Sequence, residues 1–107
     1  MKRFLTDKRR YRIPSPQQLE LLSTLLECAD DGTHGYTVMQ QTDLSPATLY
    51  GLLKRLFEDG YLSKDTQTVG GRRRVCYRLT HAGRHYAERA LLEDEYERGA
   101  ALHLETL

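Results

Sequence analysis

Three adjacent arginines follow two glycines in the run Gly70-Gly71-Arg72-Arg73-Arg74. Neighbouring guanidiniums repel one another unless an anion is near. Their planar donors suit phosphate or a narrow A·T-rich minor groove. A solvated turn that blunts sheet-edge pairing would use the same residues. A second constellation precedes it. Ala47, Thr48, Tyr50, Gly51, Lys54, Arg55 and Glu58 fall on the outer side of a helical pattern whose inner side is Leu49, Leu52, Leu53, Leu56 and Phe57. Ala47 and Gly51 let a partner approach the backbone, Thr48 and Tyr50 offer hydroxyls, and Lys54 and Arg55 offer charge. Contact with base edges and phosphates needs such a face near a helix N-terminus. A helix that merely faces water would carry it as well. Tyr50 has a further reading, packing under the following hairpin and touching nothing outside.

The remaining reactive side chains point elsewhere. His81 and His85 are four apart on a predicted helix, the spacing of two metal ligands, but no third ligand is adjacent in sequence. His103 lies further along the same helix, and Cys76 stands on the preceding strand. The histidines therefore read as surface or interface residues, and no metal site is expected. His34 reads as a capping or hydrogen-bonding residue. Cys28 falls at a core position of the first helix and reads as a small buried hydrophobe. Cys76 alternates away from Val75 and Tyr77 and reads as exposed. No nucleophile–base pair, carboxylate pair or phosphate loop has workable spacing, so neither an enzyme nor a cofactor is expected.

The elements that must position these residues form one short chain. At 107 residues, two domains would each struggle to build a core. Leu occurs 18 times while Ile and Val together occur four times, which disfavours an all-β fold. No apolar run approaches the ~20 residues of a membrane span, and the first residues lack a secretory pattern. Two cysteines make no disulfide framework, which fits a reducing cytoplasm.

The net charge of +1 argues against a nucleic-acid partner only if the charges are mixed. They lie in blocks instead. Residues 1–13 carry six bases and one acid, residues 14–44 five acids and no base, residues 45–78 seven bases and three acids, and residues 79–107 three bases and six acids. Screening over ~8 Å makes each block act locally. The extension with Lys2, Arg3, Lys8, Arg9, Arg10 and Arg12, and the segment from Ser45 to Arg78, are thus open to an anion.

Local signals give the element order. Ser15-Pro16 predicts an N-cap and first helical position, with Leu19, Leu22, Leu25, Leu26 and Ala29 at helical spacing and Asp30-Asp31-Gly32 as the stop. Gly35 to Thr42 is a short helix. Ser45-Pro46 starts a third helix that Gly60 ends. Tyr61 to Val69 and Arg74 to Thr80 read as strands about a Gly70-Gly71 turn. Thr80 caps a last helix from about His81. On it Ala82, Tyr86, Ala90, Ala100, Leu104 and Leu107 share a face that Glu93 and Glu97 interrupt, with Leu91, Leu92 and Leu102 off the stripe. Apolar residues on several sides need a cover, and a second subunit is the economical one. The expected fold is mainly α with a β-hairpin, a winged helix-turn-helix plus a C-terminal dimerisation helix. Its expected parts are a basic extension (1–13), a DNA-binding domain (14–80) and the dimerisation helix (81–107). The extension is either an arm on DNA, a disordered tail, or a short helix docked on the dimer.

Several motifs also resemble a family. His34-Gly35-Tyr36, Leu44-Ser45-Pro46-Ala47-Thr48-Leu49-Tyr50, Leu53-Lys54-Arg55-Leu56, Gly60-Tyr61-Leu62 and Gly71-Arg72-Arg73-Arg74-Val75-Cys76-Tyr77-Arg78-Leu79-Thr80-His81-Ala82-Gly83 look like the PadR-like transcriptional regulators, over about residues 16–86. The resemblance implies a homodimeric repressor on double-stranded palindromic operator DNA, with Ser45, Thr48, Tyr50 and Lys54 facing DNA and Arg72, Arg73 and Arg74 forming the wing. The single C-terminal helix looks like the short subgroup. It implies dimer contacts along that helix, for which Tyr86, Ala90, Leu91, Ala100 and Leu104 are the candidates, and relief by a small-molecule effector. The other reading from the sequence is a winged-helix protein-interaction module that binds no DNA.

Overall fold

The computed structural model describes residues 14–28 and 31–106, with side chains as far as residue 99. The extension with Lys2, Arg3, Lys8, Arg9, Arg10 and Arg12 lies outside the described residues, as do the side chains of Ala100, His103 and Leu104. The elements are α1 (Pro16–Glu27), β1 (Thr33–His34), α2 (Gly35–Gln41), α3 (Pro46–Glu58), β2 (Leu62–Val69), β3 (Arg72–Leu79) and α4 (His81–Thr106).

Helix ends follow their capping chemistry. The Ser15 hydroxyl accepts the Gln18 N–H at 3.3 Å, and Pro16 fills the position that needs no N–H. Ser45 repeats the device on the Thr48 N–H, also at 3.3 Å. Each such cap contributes about 1 kcal/mol. At the other end of α3, Gly60 takes φ +82°, the Tyr61 N–H returns to the Leu56 carbonyl and the Gly60 N–H to the Phe57 carbonyl. This is a Schellman motif, and it needs the glycine. Thr80 then fastens α4 to this corner. Its hydroxyl accepts the Gly83 N–H at 3.0 Å and donates to the Gly60 carbonyl at 2.8 Å, while its backbone N–H donates to the Tyr61 carbonyl.

The core joins all four helices. Leu21, Leu22, Val38, Leu49, Leu53 and Leu56 are its largest fully buried side chains, and α4 adds Ala87 and Ala90. Burying one such leucine contributes ~1.5–3 kcal/mol. Adjacent Leu21 and Leu22 are both buried because α1 meets α4 as well as α2. At Gly83 a Cβ would sit on the Tyr61 carbonyl oxygen, so α4 can lie this close only with glycine there. One turn on, Tyr86 stacks on Tyr61 with centroids 4.3 Å apart. The first three turns of α4 thus share one core with the rest of the fold.

The sheet is antiparallel in the order β1-β3-β2. The hairpin pairs without interruption from Leu62↔Leu79 to Val69↔Arg72. Gly70 and Gly71, at φ +58° and +79°, make the two-residue turn that suits twisted strands.

Four departures from the sequence expectations lie in the sheet and at the end of α1; elsewhere Phe57, expected on the inner side of α3, is 42% exposed. β1 is an added element; it pairs Thr33 with Tyr77 and His34 with Cys76. Cys76 is 4% exposed, not on the surface, because β1 and the Asp31–Gly32 turn cover its face and its thiol meets the Asp31 carbonyl at 3.4 Å. Val75, on the opposite face, is exposed instead. Cys28 is only half-buried, since α1 ends at Glu27 and Cys28 is its C-cap. β3 begins at Arg72 rather than Arg74, so all three arginines stand in the ladder.

Candidate nucleic-acid interface

α3 presents its outer side as a row that is left uncovered among the described residues. Ser45, Ala47, Tyr50, Gly51, Lys54 and Arg55 are exposed and Thr48 is half-buried. The cap at Ser45 orders the start of this row. Its hydroxyl donates to the Thr48 hydroxyl at 3.0 Å, which leaves the Thr48 hydrogen for an outside acceptor. Around Gly51 a Cβ would meet no other atom, so the backbone there is open to close approach.

The wing stands beside α3. Lys64 of β2 lies over the Phe57 ring, 4.5 Å from its centroid, and ties the wing root to the end of α3. His34 Nε2 lies 3.3 Å from Gln67 Oε1 and joins β1 to the outer wing strand. Arg72, Arg73 and Arg74 are exposed, and none has an ion-pair partner among the described residues. Their charge is therefore open to an outside anion.

Between α3 and the wing lies a groove of about 390 Å³ lined by His34, Gly35, Tyr36, Tyr50, Arg72, Arg74, Val75 and Tyr77. The Tyr50 ring reaches across to the first residue of α2, where a Cβ on Gly35 would come within 2.7 Å of its hydroxyl. Tyr50 is thus a wall of this groove and still 47% exposed. Burial, with the nearby Tyr50 phenol adding, pushes the Tyr77 phenol above its ordinary value. His34 is the first flank of α2 but makes no side-chain cap; its bond runs to Gln67. Neither type nor spacing singles out His34, Val75 and Tyr77 for this surface. Tyr36 stands out in the sequence only through the His34-Gly35-Tyr36 motif.

α4 divides its expected dimer residues. Tyr86 is stacked on Tyr61, Ala90 is 4% exposed in the core and Leu91 packs against the core, so these three already have partners within the chain. Among the described residues of α4 the large apolar side chains left outward are Leu92, 65% exposed, and Tyr96, 77% exposed, four apart on one side. Ion pairs Arg89–Glu93 and Arg98–Asp94 flank them at 3.0 and 3.1 Å and, being exposed, each contribute only tenths of a kcal/mol. His81 and His85 meet edge to face with centroids 4.9 Å apart. Among the described residues no group of three or more metal-ligating side chains is assembled, and no helix is long and apolar enough to cross a membrane.

Comparison with known proteins places this arrangement. The model of the transcriptional regulator PadR-like family matches residues 24–89. The transcriptional regulator Rv3488 of Mycobacterium tuberculosis is 41% identical over 78 residues, covering 68% of this chain and 69% of its own. The crystal structure of smu.1704 from Streptococcus mutans superposes with a TM-score of 0.66 at 31% identity, over 82% of this chain and 86% of that one. PcaV, a transcriptional regulator of Streptomyces coelicolor solved with its natural ligand, superposes with a TM-score of 0.69 at 26% identity, over 90% of this chain and 64% of that one. The fold is a winged helix-turn-helix, the protein is a non-enzymatic regulator of transcription, and the chain belongs to the PadR-like family.

Proposed function

We propose that this regulator is a cytoplasmic homodimeric repressor that binds a palindromic operator in double-stranded DNA. The observation that carries the reading is the juxtaposition of the uncovered face of α3 with three wing arginines that have no ion-pair partner among the described residues. α3 enters the major groove through Ser45, Ala47, Thr48, Gly51 and Lys54. The wing lays Arg72, Arg73 and Arg74 on the flanking phosphates or minor groove. Two copies place their α3 helices about 34–36 Å apart, one turn of DNA. Affinity comes largely from phosphate contacts and falls with salt.

The homodimer draws support from Leu92 and Tyr96, which are left exposed among the described residues. In this reading Ala100 and Leu104 are further contacts with the second copy, Tyr86, Ala90 and Leu91 set the angle of α4, and residues 81–107 act as the dimer element beside a DNA-binding unit of residues 14–80. The extension 1–13 is an arm whose removal lowers the salt dependence of binding. A small-molecule effector that alters the dimer angle relieves repression; the support is that PcaV is solved with a ligand.

The test is fluorescence anisotropy with the DNA upstream of the protein's own gene. A salt-dependent, saturable change that exceeds that of a scrambled duplex supports the reading. No change with any duplex contradicts it and favours a protein-interaction module.

A further inference from the structure

The proposed placement of α3 and the wing has a geometrical consequence. A major and an adjacent minor groove are divided by one sugar–phosphate strand. With α3 in the first and the wing arginines at the second, that strand must cross the surface between them. That surface is the groove of about 390 Å³. Resting on the DNA reading above, we infer that this groove seats the dividing strand, and that the hydroxyls of Tyr36 and Tyr50 donate hydrogen bonds to its phosphates. Tyr50 is thereby a backbone contact and not a reader of bases.

Four observations converge on it. No acidic side chain lines the groove, and Arg72 and Arg74, its two formal charges, have no ion-pair partner among the described residues. Tyr36 is exposed and its oxygen accepts the Gln40 amide at 3.2 Å, which turns its own hydrogen toward an outside acceptor. The Tyr50 ring leans on Gly35 of α2, which turns it toward the groove. The walls are tyrosine rings and Val75, which suit the apolar flank of a deoxyribose while hydroxyls and guanidiniums take the phosphates. Tyrosine is one of the side chains that commonly fix register on the backbone without reading sequence.

The test uses Tyr36→Phe and Tyr50→Phe, which keep the rings and remove only the hydroxyls. Each is expected to weaken binding by about 10- to 100-fold, the worth of one hydrogen bond to a charged group. The loss is expected to be equal on the upstream duplex and on a scrambled duplex of the same length. The slope of log affinity against log salt is expected to stay that of the parent, since a neutral donor releases no counterion. A second measurement replaces single phosphates of the upstream duplex by methylphosphonates. The parent loses affinity at the phosphate that Tyr36 holds, and Tyr36→Phe loses nothing further there. If both variants bind both duplexes as the parent does, the inference fails while the DNA reading stands. A loss in Tyr50→Phe confined to the upstream duplex makes Tyr50 a base reader and overturns its assignment. A parent that binds no duplex overturns the DNA reading and this inference with it.

Discussion

The start of α4 and the tip of the wing follow one another closely in the chain, yet they are built on opposite principles. In α4, Gly83 touches the Tyr61 backbone, Tyr86 stacks on Tyr61, and Ala87 and Ala90 are buried. Every one of these residues has its partner inside the molecule. At the wing tip, Val69, Arg72, Arg73, Arg74 and Val75 are exposed, and the turn between the strands is two glycines. These side chains face outward, toward whatever the wing binds. Substitution at the first region is therefore a test of folding, and at the second a test of binding, with little crossover between them.

The largest effect is expected from Gly83→Ala. The new Cβ meets backbone, which cannot swing aside, and the cost is about 3 kcal/mol, the upper end for overpacking. Thermal unfolding followed by circular dichroism then shows Tm lowered by about 10 °C or more. A variant as stable as the parent breaks the contrast from the folded side. The triple change Arg72→Ala, Arg73→Ala, Arg74→Ala is expected to do the reverse. Its Tm stays close to the parent, since exposed substitutions shift stability by about ±0.5 kcal/mol each. Its affinity for DNA falls about 10- to 100-fold, and the salt slope drops by about 2–3, roughly one for each guanidinium withdrawn from a phosphate.

A matched pair of caps sharpens the contrast. Ser15→Ala and Ser45→Ala remove the same hydrogen bond from α1 and α3, each costing about 1 kcal/mol of stability. Only Ser45→Ala is expected to weaken DNA binding of the folded protein, because only its helix carries the interface. Equal affinities for the two variants place the cap outside the site.

The smallest effect is a pH dependence. Burial raises the Tyr77 and Tyr86 phenols above their ordinary value of 10.0. The folded state favours the neutral phenol, so this contribution is complete below pH 10 and is lost as pH rises through the raised values. Alkaline denaturation monitored by circular dichroism is expected to be shallower in Tyr77→Phe. An identical alkaline limb in the variant rejects that role for Tyr77.

How much is legible in the sequence follows from the range of each signal. Ser15-Pro16, Ser45-Pro46, Gly60, Gly70-Gly71 and Thr80 act on backbone a few residues away, and the elements begin and end beside them. β1 is two residues long and exists only through pairing with Tyr77 and Cys76, so no periodicity announces it. Cys76 reads as exposed because strand alternation says which residues share a face but not which face is covered. The Asp31–Gly32 turn and β1 decide that, and both come from far up the chain. At the interface, the arginines and the α3 row stand out by charge and spacing. The groove does not, because His34, Tyr36, Tyr50 and Tyr77 come from four elements that only the fold brings together. On α4, the apolar pattern points to Tyr86, Ala90 and Leu91 for a partner subunit. The structure buries Ala90 in its own core, packs Tyr86 and Leu91 against it, and leaves Leu92 and Tyr96 outward.

If the wing arginines and the α3 face form one DNA-binding surface, removing the arginine charge must weaken binding without unfolding the chain. The decisive experiment is anisotropy of the labelled upstream duplex, titrated with the parent and with the Arg72/Arg73/Arg74 triple alanine variant at several salt concentrations. Salt-dependent binding by the parent is expected, with weaker binding and a flatter salt response from an equally folded variant. Equal affinity and equal salt slope for the two proteins would show that the wing takes no part in holding DNA.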